Sequence, residues 1–268
     1  MADQLRILHH GDAPLLLPNA WDPLSAAIVA AAGFPAVATA SSAVALSRGY
    51  DDGEQLPFDE LVTTVRRIAT AVEVPVSVDF ERGYGATPDD VRRNTVKLVA
   101  AGGVGVNIED SVDHETLRPV EEQCERISVV RAAGLELGVP IVINARTDAF
   151  IVGGKAGTEA AAIAVSRLGA YREAGADCVY PILCDDLTVL DRIHQATEAP
   201  INVMLRPSTA PLSSLMDVGV RRISMGPGLL AIAAGAVGEA ARRMASGDLD
   251  LIGMPRVTTT EMRQHLGI

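Results

Sequence analysis

Aromatic residues are scarce in this chain: four Phe, four Tyr and one Trp, 3% of 268 positions. Modules that stack the bases of single-stranded nucleic acid use more of them, so the interior must be filled by Ala, Val, Leu and Ile. Cysteine is also scarce. Cys124, Cys178 and Cys184 make an odd, low count that builds no disulfide framework. No uninterrupted apolar run reaches the ~18 residues of a membrane-spanning helix. The opening segment MADQLRILHHGD lacks the basic stretch and apolar stretch of a secretory leader. Basic charge is short as well: 23 Lys and Arg against 34 Asp and Glu give −11. Such a surface repels phosphate backbones and anionic lipid. The expectation is a cytoplasmic protein that binds no nucleic acid and no membrane. A small anionic substrate stays open, provided a cation or a local Arg overcomes the general field.

Hydrophobic residues, by contrast, make up 48% of the chain, enough for a large core. Short apolar runs fall at 15–18, 36–40, 76–79, 105–108, 141–145, 178–181, 201–203 and 222–225. Continuous apolar runs of this length suit parallel strands covered on both faces. Helical patterns fill most intervals, at 26–32, 59–72, 87–101, 120–137, 158–174, 186–197 and 209–218. The phrases AAGFPAV (31–37), AAGGVGV (100–106) and EAGADCV (173–179) each read as helix end, glycine cap, turn and buried strand. Eight strands alternating with helices, in a chain close to the ~250 residues typical of the fold, predict one closed (β/α)₈ TIM barrel. A doubly wound open sheet is the alternative, but no GxGxxG follows the first strand. The whole of 1–268 reads as a single barrel domain. Helical patterns at 229–246 and 259–266 mark 229–268 as a C-terminal segment for assembly or a plain terminal cap.

In such a barrel the chemistry belongs to the C-terminal ends of the strands. The informative residues there are Asp52, Asp79, Glu81, Glu109 and Arg146. Four carboxylates at one mouth would repel one another. A hard cation relieves that repulsion, and oxygen ligands select Mg²⁺, with Mn²⁺ as the alternative. None of His9, His10, His114, His194 and His265 lies at a strand end, which argues against His-ligated zinc. The competing reading is that acids after strands cap the following helices. Arg146 likewise has two readings: an ion pair with Glu109 or Asp148, or a fork aimed at a substrate carboxylate or developing oxyanion.

Four segments, PNAWDPLSAAIVAAAGFPAVATASSAVALSRGYDD, VDFERGYG, VNIEDS and INARTDAF, resemble the phosphoenolpyruvate mutase/isocitrate lyase superfamily in order and spacing, over roughly residues 14–228. The family's VDADTGYG reads VDFERGYG here, with Glu81 as the second acid. The resemblance implies a barrel with a swapped C-terminal helix, a homo-oligomer (dimer or tetramer), Mg²⁺ and a small 2-oxo acid. It implies Asp79 as the direct metal ligand, with Glu81, Glu109 and Asp52 acting through water. Arg146 would steady an enolate or carboxylate, and Ala40, Ser41 and Ser42 would cradle the substrate carboxylate.

The loop after the fourth strand departs from the family. Isocitrate and methylisocitrate lyases carry a KKCGH-like motif there, whose Cys is the acid/base. This chain reads EDSVDHETLRPVEEQC, with His114 as the loop's imidazole and Cys124 inside the next helix. The Lys and Asn that mutases and phosphonopyruvate hydrolases carry near this loop are absent between Asp110 and Cys124. Arg206, after the seventh strand, is a candidate second anion clamp. The expected activity is a Mg²⁺-dependent lyase that cleaves a carbon–carbon bond of a small 2-oxo or 2-hydroxy dicarboxylic acid, by retro-aldol cleavage or decarboxylation through an enolate. The alternatives are a phosphonopyruvate or carboxyphosphonoenolpyruvate-type mutase or hydrolase, and a catalytically degenerate 2-oxo acid binding protein.

Overall fold

Each of the eight apolar runs contributes parallel strand in the computed structural model, which describes residues 1–113, 115–152, 157–251 and 253–268. The strands are β1 (Leu15–Leu17), β2 (Asn19–Ala20), β3 (Val37–Thr39), β4 (Val76–Asp79), β5 (Gly105–Glu109), β6 (Val142–Thr147), β7 (Cys178–Pro181), β8 (Ile201–Met204) and β9 (Val220–Ser224). Their order is β1-β9-β8-β7-β6-β5-β4-β3-β2. The two ends of that order are neighbours in sequence, separated only by Pro18. Leu16 pairs with Ile223 and Asn19 with Ala38, so the sheet closes on itself there. Pro18 has no N–H to give the ladder, which splits one barrel strand into β1 and β2. Its carbonyl still accepts from the Ala38 N–H at 3.3 Å.

Helices cover the outside of the barrel: α2 (Pro23–Ala31), α4 (Phe58–Ala71), α5 (Pro88–Ala100), α6 (Val120–Glu136), α7 (Thr158–Glu173), α8 (Leu187–Thr197) and α9 (Leu212–Asp217). Local chemistry sets their starts. Thr87 and Asp90 form a reciprocal capping box ahead of Pro88 at the first helical position, and Asp186 caps α8. Gly102, at φ +101°, ends α5 and turns the chain into β5, as the AAGGVGV phrase predicts.

Two short helices have no marker in the sequence. α3 (Ser41–Leu46) follows β3 directly, inside a stretch that reads as loop. α1 (Ala2–Leu8) buries Leu5 completely, in a cluster with Leu15, Leu17, Ala36, Ala38 and Val142. The close approach of α1 needs Gly105, where a Cβ would lie 2.6 Å from a Leu5 methyl.

The tail forms α10 (Gly228–Ala245) and α11 (Thr259–Leu266), matching the patterns at 229–246 and 259–266. α10 buries none of its residues; Ile232 and Val237 are 63% and 70% exposed. An apolar groove beside the barrel, lined by Leu16, Ile28, Phe34, Leu205, Ile223 and Leu229, is likewise uncovered. No helix among the described residues is long and apolar enough to cross a membrane.

Candidate active site

A cavity of about 150 Å³ opens at the C-terminal end of the barrel. That is small beside the ~300–1,000 Å³ of drug-sized sites, and suits an acid of a few carbons. Of the residues singled out in the sequence, Ala40, Ser41, Ser42, Asp52, Asp79 and Arg146 all line it. Glu81 and Glu109 do not; both lie buried behind its wall.

Asp79 ends β4 and is fixed on both oxygens. Oδ2 accepts from the Ser41 N–H at 2.8 Å and Oδ1 from Asn107 Nδ2 at 2.9 Å. One amide of the expected Ala40–Ser42 cradle is thus occupied by Asp79. Both ion pairs weighed for Arg146 form together. Its Nη1 lies 2.7 Å from Glu109 Oε2, and its Nε and Nη2 donate to Asp148 at 2.6 and 3.0 Å. The guanidinium is thereby clamped on two sides while it still faces the cavity. Those two carboxylates hold its pKa well above the ordinary value despite burial.

Glu81 sits two residues after Asp79, a spacing that in a strand would put both side chains on one face. The strand ends at Asp79, however, and Glu81 has φ +47°. Its side chain turns instead to Tyr84 Oη and to the Glu54 N–H, which donates at 2.6 Å. Burial pushes the Glu81 carboxyl up to about 7, against the Tyr84 hydrogen bond, with Asp79 and Asp52 adding to the rise. Burial also pushes Glu109 upward against the pull of Arg146, reinforced by Asp148, Asp79 and Glu81.

Burial and mutual repulsion push Glu81 and Glu109 towards their neutral forms, and the acidic groups at the mouth are oxygen ligands. That fits a hard cation. Among the described residues, no three His, Cys, Asp or Glu side chains stand close enough to enclose an ion by themselves. The fit is therefore to an ion held through one carboxylate, with water and substrate completing its shell, as Mg²⁺ commonly is.

Several lining residues have no place in the sequence reading. Asn19, Asn107, Asn144 and Asn202 line the cavity from four different strands, together with Ser77, Tyr180, Arg222 and Ser224. Asn144 Nδ2 donates to Asn107 Oδ1 at 3.0 Å, and Asn107 in turn holds Asp79. A signal is present: each Asn interrupts an otherwise apolar strand, in PNAW, VNIE, INAR and INVM. Arg206 is not at the cavity wall. Its Nη1 reaches the Leu183 carbonyl at 3.2 Å and lies 3.7 Å from Asp185. His114 lies outside the described residues. Cys124 is part-buried on α6, and burial raises its pKa.

The family model described as phosphoenolpyruvate phosphomutase matches residues 5–245. The chain belongs to this family. Its phosphoenolpyruvate mutase relatives include both lyases and mutases. The 2-methylisocitrate lyase of Escherichia coli K12 is 29% identical over 70% of this chain and 64% of its own length. A putative phosphonomutase from Burkholderia cenocepacia J2315 is 36% identical, with a TM-score of 0.85 over 90% of this chain and 98% of its own. A 2,3-dimethylmalate lyase, from the phosphoenolpyruvate mutase/isocitrate lyase superfamily, is 25% identical with a TM-score of 0.85 over 99% and 94%. The closed parallel barrel is the fold of this superfamily.

Proposed function

We propose that this protein is a Mg²⁺-dependent carbon–carbon lyase acting on a small 2-oxo or 2-hydroxy dicarboxylic acid. The observation that carries this reading is the small cavity with Asp79 and a doubly clamped Arg146 on its wall. Asp79 would hold the metal, with Glu81, Glu109 and Asp52 acting through water. When bound, Mg²⁺ supplies a Lewis acid that polarises the carbonyl or hydroxyl oxygen of the substrate. In a 2-oxo acid Arg146 meets the negative charge that develops on the keto oxygen as the C–C bonding pair passes into an enolate. In a 2-hydroxy acid the hydroxyl oxygen loses its proton and becomes the carbonyl, and the charge passes to the carboxylate of the departing fragment. Because Glu109 and Asp148 already fix the guanidinium, it needs no reorganisation at that moment, the condition under which such donors are most effective. Ala40, Ser41 and Ser42 border the substrate carboxylate. The lyase names among the relatives support this choice, as does the lack of the mutase Lys and Asn between Asp110 and Cys124. Asp79→Ala is expected to abolish Mg²⁺-dependent turnover. Arg146→Lys, which keeps the charge and loses the fork, should lower kcat more than it raises KM. Full activity in Asp79→Ala would overturn the metal role.

The chain is proposed to work in the cytoplasm as a homo-oligomer, a dimer or tetramer assembled through 229–268. The exposed apolar side chains of α10 and the uncovered groove beside β1 and β9 support a helix exchanged between copies.

A further inference from the structure

Arg222 lies on β9 with its side chain inside the barrel, and the residue is 3% exposed. Its Nη2 donates to Ser77 Oγ at 3.2 Å and its Nη1 stands 3.5 Å from His9 Nε2, while its Nε has no partner among the described residues. His9 is no counter-charge. Its Nδ1 lies 2.7 Å from the Leu5 carbonyl, and burial, aided by Arg222, pushes its pKa down to about 4. Two other arginines are buried, and both have carboxylates: Arg126 pairs with Glu122 and Arg167 with Asp110. No carboxylate among the described residues pairs with Arg222; Asp79 acts on it only from a distance. An unpaired buried cation costs several kcal/mol, and this one is retained on the wall of the cavity that holds Asp79 and Arg146. Its partner Ser77 is two residues before Asp79 on β4, so Arg222 lies one layer deeper than the acids of the mouth.

We infer that Arg222 is an anion subsite at the inner end of the cavity, receiving the second carboxylate of a dicarboxylic substrate. The first carboxylate lies at the Ala40–Ser42 turn, beside Asp79 and Arg146, so the inference rests on the function proposed above. It places the second clamp on the cavity wall, where Arg206 does not lie. It also gives a physical reason for the length of the substrate: two anchored ends, one layer of the barrel apart.

Calorimetry on the full chain with Mg²⁺ tests this with three probes. Malate and 2-hydroxybutyrate differ only in a distal carboxylate against a methyl, and oxalate reports the mouth alone. Wild-type protein should bind malate about 10- to 100-fold more tightly than 2-hydroxybutyrate, the range for a hydrogen bond to a charged group. Arg222→Met should erase that preference, leave oxalate binding within about 3-fold, and keep or raise Tm. Arg222→Lys should retain part of the preference. A malate preference that survives Arg222→Met overturns the subsite. So does an equal loss of all three ligands with a lowered Tm, which would make Arg222 a structural residue. Oxalate binding without a malate preference in the wild type overturns the subsite alone. Failure of the wild type to bind oxalate overturns the proposed function and the subsite with it.

Discussion

Asp110 directly follows Glu109 at the end of β5, next to the barrel mouth. Its contacts give it a structural task, which can be tested by mutation. It is fully buried. Oδ2 accepts from Thr147 Oγ1 at 2.8 Å, Arg167 Nε at 2.7 Å and Tyr171 Oη at 2.7 Å, and Oδ1 accepts from the Asp148 N–H at 2.8 Å. It thereby ties β5 to β6 and α7. Asp110→Asn keeps the volume, but its amide nitrogen cannot accept, and the Arg167 guanidinium loses its counter-charge. Breaking a buried pair from one side costs about 3–5 kcal/mol. With an unfolding entropy of ~2.1 cal/mol/K per residue over this length, ~4 kcal/mol lowers Tm by roughly 7 °C. Urea and thermal unfolding of Asp110→Asn, Arg167→Met and the double variant measure this. The double variant should be less destabilised than the sum of the singles by at least ~1 kcal/mol, because no lone charge remains. Asp110→Asn within ~1 kcal/mol of wild type, or strict additivity, would show that Asp110 is no such tie.

Two further outcomes are expected. The folded protein holds His9 at about 4, against 6.5 for a free imidazole. Between those values the unfolded chain binds a proton that the folded chain does not, so stability falls as pH drops from 6.5 towards 4. The His9 contribution at pH 4.5 is a loss of about 2–3 kcal/mol, read as the difference between wild type and His9→Gln in urea unfolding at pH 7.5 and 4.5; equal pH dependence in both would disprove it. If α10 is the assembly surface, Ile232→Glu with Val237→Glu should convert the oligomer to monomer in sedimentation while secondary structure persists. An unchanged sedimentation coefficient would move the interface elsewhere.

Much of this fold is legible in the sequence because parallel strands covered on both faces leave unbroken apolar runs, and because Thr87, Pro88 and Gly102 mark helix ends chemically. Asp79 and Arg146 stand out because a charge at the end of an apolar strand is kept there against the cost of desolvation. The limits have equally specific causes. Strand alternation places Glu81 beside Asp79, but alternation stops where the strand stops. Asn107, Asn144 and Asn202 sit in runs whose neighbours are apolar, so a periodicity count treats them as noise; only closure of the sheet turns them inward together. Arg222 opens the run at 222–225, and nothing in the pattern of that run marks its side chain as facing the inside of the barrel. α1 is too short to announce itself, and its place beneath the barrel depends on space left by Gly105, about a hundred residues away.

The reaction class can be decided in one assay. Purified protein, with Mg²⁺ or with EDTA, is incubated with oxaloacetate, other four- to six-carbon 2-oxo and 2-hydroxy diacids, and phosphonopyruvate. Carboxylic acid products, CO₂ and phosphate are measured together, against a no-enzyme control. A Mg²⁺-dependent lyase cleaves a carbon–carbon bond of at least one diacid, loses that activity in Asp79→Ala, and releases no phosphate from phosphonopyruvate. Phosphate release from phosphonopyruvate with no diacid cleaved would contradict the lyase reading and make the protein a phosphonate enzyme.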